Sequence, residues 1–290
     1  MLRPLLATVL LAAFPMIAAA QTLTEVGFIR TTPFAGSTVS MGDGEGMAFV
    51  PLDNALWLVD DHTKRVYEVD RTTGQLRRFI SQSVFANTRQ FGGTALAGSG
   101  RTGDLEAAAY DAASDELYVF NSSTQTAYRL KASATTGALE PESWQPFPST
   151  IDPTGAAWHP LGALYVSAGK GTIRKYNYEA NTLGPLIALP GVSGVVFGMG
   201  FNADGSQMWV VTSADRLYRV DWATLQVLQS FDLTVHNIHD ARAVEVIDGA
   251  IYVLDGYALP ASDPKFLAVT LFVVEGEVEP PPPPPDPVCP

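Results

Sequence analysis

The chain lacks most of what simple functional readings need. Its 290 residues include one cysteine, Cys289, so no intrachain disulfide can form and stability has to come from packing. Eighteen basic residues stand against 30 acidic ones, a formal charge of -12 at pH 7. That balance leaves no cationic surface to displace counterions from a nucleic acid, and it argues against adhesion to anionic lipid. There is no Gly-x-Ser-x-Gly nucleophile elbow, no nucleotide or flavin signature, and no cysteine set for a zinc ribbon. Gly169-Lys170-Gly171-Thr172 lacks the upstream glycine and the spacing of a phosphate loop. No pattern of a long amphipathic helix occurs. Beyond the N-terminus no segment stays apolar for the roughly 20 residues that membrane insertion as a helix requires.

What is present begins with MLRPLLATVLLAAFPMIAAA, in which Arg3 precedes an apolar stretch from Leu5 to Ile17 and small residues at Ala18 and Ala20. This predicts a signal peptide over residues 1–20 and export to the periplasm or the extracellular space. Pro15 and the shortness of the stretch count against an anchor. At the far end, EGEVEPPPPPPDPVCP carries six consecutive prolines, which favour stiff polyproline II and predict a tail or linker over residues 276–290. Residues 21–275 are left for one large all-β domain.

Within that span one phrase recurs. It reads EGMAFVPLDNALWLVDDHTKRVYEVD from Glu45, LEAAAYDAASDELYVFNSSTQTAYRL from Leu105, PTGAAWHPLGALYVSAGKGTIRKYNY from Pro153 and FGMGFNADGSQMWVVTSADRLYRVD from Phe197. A weaker copy, ARAVEVIDGAIYVLDGY, starts at Ala241. Each copy alternates with the period of strands and turns on Asp, Asn or Gly. The second-strand aromatics Trp57, Tyr118, Tyr165, Trp209 and Tyr252 are spaced by 61, 47, 44 and 43 residues. Four strands with tight turns need about 40–45 residues, the length of one propeller blade. The prediction is an all-β β-propeller of five to six four-stranded blades. The long first interval places surplus chain at residues 81–103, read as a loop, with a degenerate hairpin of a sixth blade as the alternative. The fifth copy ends before its fourth strand, and TLTEVGFIR near the N-terminus is a strand without a blade. Pairing the two closes the ring and removes two exposed edges.

In such a ring, the loops between blades and the loops from second to third strands share one face with the channel mouth. That geometry brings Asp43, Glu45, Asp104 and Glu106 to one place, with Asp152 and Asp240 before later blades and Asp60, Asp61, His62, Asn121 and Asp255 on the second-to-third-strand loops. Asp43, Glu45, Asp104, Glu106 and Asp240 are the candidate metal ligands, and an all-oxygen set suits Ca2+. Against this stands Arg242, which occupies the repeat position of Glu45 and Glu106 and offers internal pairing instead. His236, His239 and Asp240 form a second candidate, as transition-metal ligands or as a general base, with His62 across the mouth; the alternative is an ordinary polar loop. His159 falls on the opposite face and is read as structural. Phe49, Tyr110, Trp158 and Phe201 recur at one position in blades one to four and are predicted to be inter-blade core rather than a stacking platform.

The phrases EGMAFVPLDNALWLVDDHTKRVYEVD and DLEAAAYDAASDELYVF resemble bacterial six-bladed propellers of the SdiA-regulated, NHL-repeat and gluconolactonase-like group, whose blades often open with Asp-x-Glu-Gly and an aromatic. The resemblance covers residues 43 to about 275. It implies a divalent metal at the channel mouth held by Asp43, Glu45, Asp104 and Glu106, in a group that includes calcium-binding proteins, lactonases and phytase-like or esterase-like enzymes. Thr154 and Phe197 replace the glutamate in blades three and four, so any site is concentrated on blades one, two and five.

The leading expectation is a non-catalytic, exported, monomeric propeller that binds a small molecule or a protein partner at its channel face, with a Ca2+ ion. The second is a metal-dependent hydrolase, lactonase-like or phosphoesterase-like, in which His236 or His239 moves a proton. The third is an interaction module displayed on its proline-rich spacer.

Overall fold

A computed structural model of the chain describes residues 21–92, 103–148, 152–256, 263 and 265–275. The signal-peptide and proline-tail readings lie outside the described residues. The first strand is β1 (Thr22–Ile29). Blade one is β2 (Gly44–Val50), β3 (Ala55–Asp60), β4 (Arg65–Asp70) and β5 (Leu76–Ser81). After the short helix α1 (Gln82–Ala86) and β6 (Arg89–Gln90), blade two is β7 (Leu105–Asp111), β8 (Glu116–Asn121), β9 (Thr126–Ala132) and β10 (Leu139–Pro146). Blade three is β11 (Ala156–His159), β12 (Ala163–Ser167), β13 (Thr172–Asn177) and β14 (Thr182–Ala188). Blade four is β15 (Val196–Phe201), β16 (Gln207–Thr212), β17 (Arg216–Asp221) and β18 (Val227–Asp232). Blade five is β19 (Ala241–Ile247), β20 (Ala250–Asp255) and β21 (Val269–Glu275), completed by β1.

The five sheets form a β-propeller. β1 lies antiparallel on the outer edge of β21, with Thr22 opposite Glu275 and Ile29 opposite Val269. The expected ring closure by the N-terminal strand is therefore observed. The surplus residues after β5 do not make a sixth blade among the described residues: α1 packs Phe85 into the core, and β6 adds a short parallel fifth strand to the outer edge of β10.

Turn chemistry sets the hairpins. Between β19 and β20, Asp248 and Gly249 take φ of 53° and 79°, a left-handed pair that suits a tight turn matching the twist of the flanking strands. Asn54, Asp115 and Asn181 hold left-handed φ in turns of the earlier blades.

The hydrophobic core is five clusters between blades rather than one central core. Trp57 and Tyr128 lie between blades one and two, Leu58 and Leu254 between one and five, and Phe120 and Tyr176 between two and three. Val210 and Ile173 lie between three and four, and Trp209 and Phe272 between four and five. Each sheet buries both faces, which explains why β3, β8 and β20 read as nearly continuous apolar runs.

Five blades bring the inner strands very close, and the sequence accommodates this with small residues. The position after each channel-mouth residue is Gly46, Ala107, Gly155, Gly198 or Ala243. A Cβ on Gly198 would lie 2.5 Å from the Ala243 Cα, and one on Gly155 2.6 Å from the Phe197 carbonyl oxygen. The void at this level is about 10 Å³, room for about one water, so the channel is shut at mid-depth and its two ends are separate hollows.

Candidate functional site

The upper face carries the loops before each inner strand and the loops after each second strand. One buried polar residue closes the second strand of every blade: Asp60, Asn121, Ser167, Thr212 and Asp255. All five of these side chains accept hydrogen bonds from backbone amides, Thr212 Oγ1 from Ala214 N–H at 3.5 Å. Gly42 N–H donates to Asp60 Oδ2 at 2.7 Å, Thr124 N–H to Asn121 Oδ1 at 2.9 Å, Gly155 N–H to Ser167 Oγ at 3.0 Å and Asp240 N–H to Asp255 Oδ1 at 3.1 Å. Because Asp60 is occupied by the amides of Gly42, Asp43 and Thr63, the next residue, Asp61, is left to face the mouth.

Asp61 is the hub of the site. Ligand oxygens of Asp43, Glu45 and Asp61 lie within 4.8 Å of one another, and so do those of Asp61, Asp104 and Glu106. The four blade-one and blade-two residues singled out by the Asp-x-Glu repeats thus meet through a fifth, Asp61, that sequence reading named on the loop but did not count as a ligand. The signal was available: in Asp60-Asp61 the first residue ends a strand and is consumed by backbone, which frees the second.

Two cations face the five carboxylates. Arg242 donates from Nη1 to Glu45 at 2.9 Å and from Nε to Asp240 at 2.7 Å, while its guanidinium lies 4.7 Å from the Phe197 ring centroid. Lys64 pairs with Asp104 at 2.7 Å, and Ser122 Oγ donates to Glu106 at 2.9 Å. These partners do not neutralise the cluster. Burial, only partly offset by Arg242, pushes Glu45 up to about 9. Burial followed by the Asp61 charge raises Asp43 to about 6, and burial against the Ser122 hydrogen bond raises Glu106 to about 6. Asp61 is raised as well, chiefly by burial. Asp43 Oδ1 is buried with no hydrogen-bond partner in the protein. The donor set is all oxygen, strained by its own charge, and has an orphaned atom, so it fits a hard divalent cation.

The remaining candidates fall elsewhere. Asp240 is on the same face but is held by Arg242, and among the described residues it joins neither carboxylate trio. His236 packs edge-on against Phe272, its ring centroid 5.0 Å away. His239 lies near the charges of Asp215 and Asp232, on the blade-four side of the loop. Neither histidine belongs to a group of metal-ligating side chains among the described residues. His62 packs against Gly42 on the upper face. Asp152 accepts from Gln125 at 3.0 Å. His159 is on the opposite face, where its Nε2 lies 3.1 Å from the Gly205 carbonyl and its ring packs on Phe201 and Trp222.

The fold and site define a five-bladed propeller with an acidic upper mouth on blades one and two. No protein-family model and no curated protein matches the chain. Among solved structures it is similar to Myxococcus xanthus glutaminyl cyclase, at 11% identity and a TM-score of 0.61, covering 88% of this chain and 97% of that one. It is also similar to the PQQ-bound form of aldose sugar dehydrogenase from Streptomyces coelicolor, at 12% identity and a TM-score of 0.59, covering 88% and 98%. At such identities the likeness is one of fold. No helix among the described residues is long and apolar enough to cross a membrane.

Proposed function

We propose that this protein is an exported binding propeller whose upper mouth holds a divalent cation of the Ca2+ class and, through it, an oxygen-rich small molecule. Asp43, Glu45, Asp61, Asp104 and Glu106 are its ligands. The observation that carries the reading is the pair of carboxylate trios hinged on Asp61, with Asp43 Oδ1 buried and unpartnered. Ca2+ takes six to eight oxygens, so a trio centred on Asp61 and acting through single oxygens leaves positions for the neighbouring carboxylates, water or a ligand oxygen. Arg242, anchored by Asp240, stands at the edge of the site as a second contact for an anionic ligand group.

Binding is favoured over hydrolysis because neither His236 nor His239, the two candidate proton carriers, joins the carboxylates. The Asp-x-Glu openings support kinship with the SdiA-regulated, NHL-repeat and gluconolactonase-like propellers, here in a five-bladed form. Export rests on the signal-peptide pattern of residues 1–20. The test is calorimetric titration of CaCl2 into chelator-treated protein. A saturable single site, lost in Asp61→Asn, supports the reading; no heat and no change in melting temperature at millimolar CaCl2 overturns it.

A further inference from the structure

The lower end of the channel departs from the repeat in a way the upper site does not explain. The position that is Phe49, Tyr110, Trp158 and Phe201 in blades one to four is Glu245 in blade five. These five side chains, with Ala157 and Gly200, line a cavity of about 80 Å³, separated from the acidic mouth by the closed mid-channel layer. By the measure in which about 10–15 Å³ admits one water, the cavity has room for several waters, or for one compact group of about four or five heavy atoms. The four aromatics do pack into the inter-blade clusters as the repeat predicts, but their inner edges also border this hollow.

The rings are held in place from outside. Trp158 lies parallel to Tyr118 at 5.7 Å, and Phe201 is braced by His159 at 4.6 Å and Trp222 at 5.0 Å. The Tyr110 hydroxyl is tied to Asp115 at 2.7 Å. A wall fixed in this way loses little freedom when a ligand enters.

Glu245 is the one acidic group on the wall. Burial pushes its carboxyl up to about 8, against the lowering effect of the nearby Phe49 and Val246 backbone amides. Among the described residues it forms no ion pair. The charged and titratable groups on the surrounding elements have other engagements. Arg71, 5.1 Å from the Phe49 centroid, is paired with Asp248 at 2.6 Å, while Tyr110 and His159 are bonded as above. Tyr252 is the cross-strand neighbour on β20.

We propose that this lower hollow binds the head of a quaternary ammonium cation, with Glu245 as counter-charge and Phe49, Tyr110, Trp158 and Phe201 as its wall. A primary ammonium or a metal ion needs several hydrogen-bond or oxygen partners, which four rings and one carboxylate do not supply. A quaternary ammonium has no N–H to satisfy and is stabilised by aromatic surfaces and a negative charge. An anion is repelled by Glu245, and a neutral apolar guest gains nothing from a carboxylate.

Binding selects the ionised carboxylate, so it releases a proton at pH 7. Affinity rises about tenfold per pH unit up to about 8 and levels off above it. The experiment is calorimetric titration of tetramethylammonium chloride and of choline into the full chain at constant ionic strength from pH 6 to 9. The neutral choline isostere 3,3-dimethylbutan-1-ol and the Glu245→Gln variant serve as controls. The amide side chain of that variant has nearly the same shape and carries no buried charge, so the variant should melt no lower than the parent. The expected result is one saturable site with that pH slope, weakened at least about tenfold in Glu245→Gln, and no binding of the neutral isostere. Absence of saturable binding at pH 9, equal affinity in Glu245→Gln, or equal affinity for the isostere each overturns the proposal. None of these outcomes depends on the upper cation site.

Discussion

Arg242 donates to Glu45 at 2.9 Å across the upper mouth, and this contact joins the innermost strand of the last blade to that of the first. The two residues occupy the same position in their repeats. The contact therefore both closes the ring electrostatically and sets the charge of the site.

Above about pH 9, where Glu45 is ionised, replacing Arg242 by Gln leaves Glu45 buried beside other carboxylates with no cation. The metal-free variant should lose roughly 2 kcal/mol, less than a fully buried pair would cost because Arg242 keeps some solvent contact. The double variant Arg242→Gln/Glu45→Gln should recover most of that loss. Urea unfolding of the two variants checks this, and a double variant no more stable than the single one refutes it.

The carboxylates of the mouth give stability a definite pH sign. Asp43 and Glu106 near 6 and Glu45 near 9 all lie above the ordinary carboxylate range in the folded state. The folded protein therefore binds more protons than the unfolded chain, and its stability falls as pH rises. In chelator the melting temperature should decline from pH 5 toward pH 9, most steeply through pH 6. With millimolar CaCl2 the decline should flatten, since a bound cation favours the ionised forms. A metal-free melting temperature that rises over this range contradicts the argument.

Asp61→Asn removes the residue common to both trios. It should weaken Ca2+ binding at least about tenfold while raising the melting temperature of the metal-free protein, because one of several mutually repelling charges is gone. Loss of binding together with loss of metal-free stability would instead mark Asp61 as structural.

Deletion of residues 21–29 exposes the outer edge of β21 and removes Leu23 and Ile29, both buried. The melting temperature should fall by at least about 10 °C, the effect of a few kcal/mol in a domain of this size. An unchanged melting curve would show that ring closure contributes little.

Gly198→Ala tests the narrow channel directly. The added Cβ meets the Ala243 backbone at 2.5 Å, so the inner strands of blades four and five must separate. A loss of about 1–3 kcal/mol is expected from overpacking of this kind, read by urea unfolding. Gly27→Ala on β1, where no atom lies within 4 Å of the added Cβ, is the matched control and should change stability much less.

The sequence by itself determined the repeat, and through it the propeller, the ring-closing role of β1 and the grouping of Asp43, Glu45, Asp104 and Glu106. These follow from chain-local facts: strand periodicity, turn residues and a spacing that one blade fills. Tertiary structure decided the rest, because each remaining point depends on how blades meet. The number of blades was settled by small residues at Gly46, Gly155 and Gly198, whose meaning appears only when inner strands touch. Asp61 became the hub because Asp60 is consumed by backbone amides, a distinction two adjacent aspartates do not show in one dimension. Asp240 was drawn to Arg242 instead of the carboxylates, since a cation two residues away satisfies it first. The odd glutamate among four aromatics acquired its meaning only when five blades placed Glu245 and those rings around one hollow.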